Sequence, residues 1–311
     1  MQNAECGITN ANLFSLILFP NPCLPAGRRN PNSEFRRGRM GKIEKRKVWM
    51  ALIMVPPVLL LIILGRPFIL HLMVLLATFL GLREYYDLVL PHPKRIERVV
   101  GIGLGLILSI TISLEVMKDI SLFFVIILLV LSVLFMAASK DLSSTIPEMG
   151  MTLLGIFLIG FLLAYVSLIR NLPNGRLWVL FLLATVWAGD ISALLTGSFL
   201  GKHKLYPKIS PNKTFEGLGG SIVGSIIVAL AFAFLLLPRL QKGVCIFLAV
   251  GIGILGQLGD FTESMLKRSA RVKDSGTLIP GHGGMLDRLD SFLFSAPFLH
   301  YSLLSLLKEI P

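Results

Sequence analysis

Nine apolar runs, at about 48–64, 68–82, 99–116, 120–138, 149–170, 176–200, 217–238, 243–261 and 291–307, set what this chain can fold into. They have lengths suited to helices crossing roughly 30 Å of hydrocarbon, though the first two are the shortest. Within a bilayer the backbone must satisfy its own hydrogen bonds, which leaves helices and closed barrels. The runs are continuous in Leu, Ile, Val and Phe and lack the two-residue alternation of a barrel strand. The expected class is therefore all-α, a polytopic transmembrane bundle of about nine spans. Pro56 and Pro57 interrupt the first run, so the first pair is also compatible with a partly re-entrant arrangement. With 54% hydrophobic and 15% charged residues, and a mean hydropathy of +0.76, a soluble domain of this length is excluded.

Residues 1–40 differ in texture, with Asn-Pro pairs, one short apolar run and the basic stretch GRRNPNSEFRRGRM. A signal peptide would place its charge before the apolar run, but Met1 to Asn12 carries only Glu5. The segment reads as a disordered leader or a non-native extension, with Met40 as a natural beginning. Without it the formal charge falls from +12 to +9, because five arginines and two glutamates go with it. The remainder divides into amino-terminal transmembrane helices, 41–186, and a membrane region with the unusual loops, 187–311. Cys6, Cys23 and Cys245 are widely separated, have no metal-ligand spacing and suggest no disulfide framework.

Alternate loops differ in basic charge. One set, built around residues 83–98, 140, 202–213 and 267–288, holds fourteen Lys and Arg, and the opposite set holds six. Basic loops are retained in the cytoplasm, so the amino terminus and the unusual loops are expected there. Anionic headgroups also attract such loops, and charge alone names no activity. Acids discriminate better: Asp190, Glu216, Asp260, Glu263, Asp274, Asp287 and Asp290 all lie between residues 190 and 290, in or beside the two longest basic loops.

Asp260 and Glu263 are three residues apart at the end of an apolar run, which places their β-carbons about 5–6 Å apart on one helical face. Asp287 and Asp290 repeat that spacing at the start of the last run. Ionisable groups at this depth face a protein interior or a wet cavity, where a partner compensates them. Ion pairs with Lys267, Arg268 or Arg288 would serve. A small set of hard oxygen ligands with positions open to phosphate and water would equally suit Mg²⁺.

The stretch Gly281-His282-Gly283-Gly284 offers a backbone able to adopt positive φ just before a helix amino terminus, a composition suited to cradling phosphate. Glycine-rich turns also serve simply to reverse a chain. SPNKTFEGLGG, 210–220, has a comparable texture, with Ser210, Lys213 and Glu216 ahead of glycines, but no GxxxxGK[ST] pattern. His282 could move a proton or merely orient the loop. Trp187, Tyr85, Tyr86 and Tyr165, near span ends, read as interfacial anchors rather than base-stacking platforms.

The run Ser264-Met-Leu-Lys267-Arg268, four residues, Lys273-Asp274-Ser-Gly276, then Pro280 to Asp290, resembles the signature of the phosphatidate cytidylyltransferases, the CDP-diacylglycerol synthases. The similarity extends through Gly256 to Asp260, through GKHKLYPKISPNKTFEGLGGS at 201–221, and less sharply to REYYDL at 83–88. One departure falls at 190–201, where relatives often show a tyrosine and an arginine; Leu194 or Leu195 and Ser198 stand here, while Asp190 is kept.

The resemblance implies Mg²⁺-dependent transfer of a cytidylyl group from CTP to phosphatidic acid, giving CDP-diacylglycerol and pyrophosphate. It places Asp260 and Asp287 in the principal metal site, with Asp290 and Glu263 as further ligands or organisers; a second cation is compatible with it. Lys267, Arg268, Lys273 and Arg288 would neutralise phosphates beside Ser264 and Asp274, and Gly283 and Gly284 would admit a phosphate closely. Ser210, Lys213 and Glu216 would form the opposite wall, and His282 would stand among the catalytic residues. A CTP-dependent lipid or polyprenol kinase needs similar groups, and a lipid transporter would instead carry mid-span charges and related halves. No nucleic-acid partner is expected. The small residues along 217–233 suit close packing within one chain or between two, which carries a homodimer as an expectation.

Overall fold

The computed structural model describes residues 56–90, 95–116, 119–138, 142–238, 240–276 and 283–308. The leader, His282 and part of the Gly-rich loop fall outside them. Residues 56–64 are helical. There follow α1 (Pro67–Val89), α2 (Arg95–Ser113), α3 (Ile120–Ala138) and α4 (Leu142–Gly155), which runs through a π-helical segment, Ile156–Phe161, towards α5 (Tyr165–Asn171). Then come α6 (Gly175–Phe199), the antiparallel hairpin β1 (Lys204–Tyr206) and β2 (Ser210–Thr214), α7 (Phe215–Leu236), α8 (Lys242–Ser269) and α9 (Leu286–Lys308).

Among the described residues seven helical stretches are long and apolar enough to cross a membrane: α1, α2 from Ile96, α3, the composite Ser143–Asn171, α6, α7 and α8. The expected all-α membrane bundle is what the chain forms. Of the nine runs read from the sequence, the first begins outside the described residues. The last lies within α9, a 23-residue helix whose first turns carry Asp287, Arg288 and Asp290; it is not among the seven. Helix α3 is the most apolar, with a mean hydropathy of 3.1 and only 22% of its window buried, as suits a helix on the lipid side.

Small residues decide which helices touch. A β-carbon on Gly220 would collide with Thr196, and one on Gly224 with Ser192, so α6 and α7 meet nearly backbone to backbone. Ser225 Oγ donates to the Thr185 carbonyl at 3.1 Å across the same seam. The glycine and serine stripe of α7 is thus used inside one chain, and the homodimer expectation takes no support from it. Helices α8 and α9 close similarly: Gly259 abuts the Asp290 carbonyl, and Gly251 the Phe298 ring.

The tyrosines correct the anchor expectation. Tyr85 and Tyr86 are fully buried, and their hydroxyls donate to the Met151 and Thr152 carbonyls at 2.9 Å each. Their rings lie over Gly155 and Gly101, where a side chain would leave no room. Tyr165, also buried, pairs its hydroxyl with that of Tyr301 at 2.7 Å. A hydroxyl that finds a partner in the core has no need of the interface. Trp187 is half-buried and packs against the core.

Candidate active site

The apolar run of α8 extends into QLGDFTESMLKRS without a break, so Asp260, Glu263 and Lys267 sit on successive turns of one helix, and Lys267 and Arg268 suit its carboxyl-terminal dipole. Close packing at Gly259 brings the first turns of α9 alongside. Ligand oxygens of Asp260, Glu263 and Asp290 then lie within 4.8 Å of one another. All three donors are carboxylate oxygens, the set a hard divalent cation prefers. Glu263 is 1% exposed, and its Oε1 is buried without a hydrogen-bond partner, an orphaned acceptor of the kind a cation would satisfy.

Two lysines compensate the acids. Lys213, at the end of the hairpin, reaches Asp260 Oδ2 at 2.6 Å and lies over the Phe261 ring at 4.2 Å. Lys267 pairs with Glu263 and, at 2.6 Å, with Asp287 Oδ1. Asp190, on α6, is tied to the same two helices: it accepts from Gln257 Nε2 at 3.3 Å and from Ser291 Oγ at 3.4 Å. Ser264 Oγ donates to Asp260 Oδ1 at 3.3 Å.

Asp287 is not one of the trio but lies beside Glu263 and shares Lys267 with it. Its Oδ1 faces Lys267, while its Oδ2 accepts from the Gly284 amide at 2.7 Å, the Ser275 hydroxyl at 2.9 Å and the Ser275 amide at 3.1 Å. Burial acts to raise this carboxyl, but the neighbouring Glu263 carboxyl, the Lys267 ammonium and the Gly284 amide outweigh it and hold the group down at about 2. With both oxygens engaged, Asp287 anchors the loop, and the position expected for it beside Asp260 is taken by Glu263 and Asp290.

The phosphate-cradle expectation also changes. Three successive amides at the start of α9 are already used: Gly284 N donates to Asp287, and Met285 N and Leu286 N donate to Glu84 at 2.9 Å each. A β-carbon on Gly283, which has φ +81°, would collide with Asp287, and one on Gly284 with Ser275 and Glu84. These glycines admit the protein's own carboxylates.

The opposite wall is divided. Lys213 borders a cavity of about 440 Å³ together with Gly197, Ser198, Lys204, Thr214 and Asp260. Ser210 lies in the hairpin, opposite Tyr206. Glu216 turns away to close the hairpin, accepting from the amides of Lys202 and His203 and from His203 Nδ1 at 2.7 Å. Arg268 donates to the carbonyls of Ile209 and Val272, tying the hairpin to α8. Lys273 and Asp274 are exposed in the loop after α8, and Arg288 is exposed on α9. Asp190 and Glu84 are the functional candidates that sequence reasoning left off the site; the stretch REYYDL was the one signal for Glu84.

The chain matches the cytidylyltransferase family over residues 45–306. A phosphatidate cytidylyltransferase of Bacillus subtilis (strain 168) is 41% identical over 186 residues, covering 60% of this chain and 67% of the relative. One from Synechocystis sp. is 34% identical over 262 residues, covering 76% and 88% respectively. One from Staphylococcus haemolyticus is 42% identical over 148 residues, covering 48% and 55%. With its acid cluster set at the end of a membrane helix bundle, the chain belongs to the cytidylyltransferase family.

Proposed function

We propose that this protein transfers the cytidylyl group of CTP to phosphatidic acid, giving CDP-diacylglycerol and pyrophosphate. The observation that carries the reading is the convergence of Asp260, Glu263 and Asp290 within 4.8 Å, with Lys213 joining Asp260 to a cavity of about 440 Å³. The lipid acceptor is assigned by similarity to the phosphatidate cytidylyltransferases of Bacillus subtilis and Synechocystis.

The fit of these residues to Mg²⁺ rests on the all-oxygen donor set and the orphaned Glu263 Oε1. When bound there, Mg²⁺ supplies positive charge against phosphate oxygens. The remaining tasks fall to the chain itself. Lys213 meets a phosphate of CTP from the cavity side, and Lys267 keeps Glu263 and Asp287 in register. Arg288, exposed on α9, would meet the lipid phosphate.

An apolar groove of about 180 Å³ lined by Met285, Leu289, Val74 and Leu182 runs beside the same turn of α9 and suits a segment of acyl chain. A phosphatidate oxygen attacks the α-phosphorus of CTP in line. A new P–O bond forms as the bond to the bridging oxygen of pyrophosphate breaks, and the electron pair leaves with pyrophosphate. The nucleophile is already an anion near neutral pH, so positioning and charge neutralisation do most of the work and no general base is required.

The excess of Lys and Arg in the loops around this site supports a cytoplasmic position for it, where CTP is found. Purified protein given CTP, phosphatidic acid and Mg²⁺ should release one pyrophosphate for each CDP-diacylglycerol formed. Pyrophosphate release that ignores phosphatidic acid would overturn the assignment of acceptor.

A further inference from the structure

The amino terminus of α9 is held by a side chain from about two hundred residues upstream. Glu84, near the carboxyl end of α1 and 9% exposed, accepts from Met285 N through Oε1 and from Leu286 N through Oε2, each at 2.9 Å. Ser275 Oγ stands between the two carboxylates, 3.2 Å from Glu84 Oε2 and 2.9 Å from Asp287 Oδ2. Gly276 and Gly284 both lie so close to the Glu84 carboxylate that a β-carbon on either would meet it.

The first amides of a helix have no partner within the helix and carry about half a positive charge in sum, so an anion is favoured there. In this fold the anion belongs to the protein. Asp287 lies in the first turn of α9 and Asp290 one turn further on, the latter facing Asp260 and Glu263. The register of α9 against α8 therefore decides whether the three carboxylates converge.

We infer that Glu84 is a positioning residue for cytidylyl transfer: it occupies the α9 amino terminus in place of a substrate phosphate and so fixes Asp287 and Asp290 against α8. This rests on the function proposed above. It assigns the amino-terminal helices a part in the site, and it leaves substrate phosphates to Lys213 and the neighbouring cations rather than to the Gly284–Leu286 amides.

Glu84→Gln keeps the size of the side chain but turns one acceptor into a donor facing an amide N–H. In the full-length, detergent-solubilised chain, hydrogen–deuterium exchange of Glu84→Gln should be faster by about tenfold or more across residues 283–290 and unchanged across 215–225. The Mg²⁺ concentration giving half-maximal activity should rise by about tenfold, because the ligands no longer arrive together. Glu84→Asp, which keeps the charge on a shorter stem, should recover part of both effects.

Wild-type exchange across 283–290 together with wild-type Mg²⁺ dependence in Glu84→Gln would overturn the inference. A uniform rise in exchange over the whole chain would overturn it too, since Glu84 would then be a general determinant of the fold. If the wild-type protein formed no CDP-diacylglycerol, the proposed function would fall, while exchange confined to 283–290 would still uphold Glu84 as the residue that positions α9.

Discussion

Lys267 Nζ lies 2.6 Å from Asp287 Oδ1 and joins the last turns of α8 to the first turn of α9. The same ammonium pairs with Glu263, and the three side chains are 12%, 12% and 1% exposed respectively. Removing it leaves two buried carboxylates without their cation. Lys267→Met should therefore lower stability by about 3–5 kcal/mol. Thermal unfolding in detergent measures this, and an unchanged midpoint would refute the bridging role.

Asp287→Asn preserves shape but removes the charge that Lys267, Ser275 and Gly284 meet. Turnover should fall by about 10²–10³-fold or more, while the solubilised protein elutes as the wild type does. Near-normal activity in this variant would remove Asp287 from the machinery.

Glu263→Gln and Asp290→Asn each take one charge from the oxygen trio. The Mg²⁺ requirement should move upward by at least about tenfold in both, whereas Glu216→Gln, whose carboxylate is occupied with His203, should leave it unchanged. Chelation should stop the wild-type reaction, and added Mg²⁺ should restore it. A metal titration indifferent to Glu263 and Asp290 would contradict the proposed ligand set.

Gly259→Val drives a side chain into the Asp290 carbonyl across the α8–α9 seam. Overpacking of this kind costs about 1–3 kcal/mol, and here it also pushes Asp290 away from Asp260. Activity should fall further than the loss of stability alone would produce. Gly243→Val, whose position has open space, is the control and should behave as wild type.

The membrane bundle was legible from run length and composition, because the bilayer allows a helix few alternatives. The Asp260 and Glu263 pair was legible from helical spacing. The second pair shows the limit of that reasoning. Residues three apart on a helix are still about 60° apart around its axis, and the packing of α8 sends Asp290 to the oxygen trio and Asp287 to Lys267 and the loop. Nothing in the spacing distinguishes them. Glu84 was hidden for a different reason: its partners, Met285 and Leu286, are on another helix some two hundred residues away, and only the docking of α1 against α9 brings them together. The freedom of the loop glycines is legible in the sequence, but not that the Asp287 and Glu84 carboxylates lie against them. The burial of Tyr85 and Tyr86 is not legible in the sequence, because it depends on the room that Gly155 and Gly101 make for their rings inside the bundle.

The most direct test of the central claim is the fate of labelled CTP. Purified protein is incubated with CTP labelled at either the α- or the γ-phosphorus, with phosphatidic acid and Mg²⁺. The α-label should enter lipid as CDP-diacylglycerol, and the γ-label should leave as pyrophosphate. Appearance of the γ-label in lipid, or absence of the α-label from it, would contradict cytidylyl transfer to phosphatidic acid.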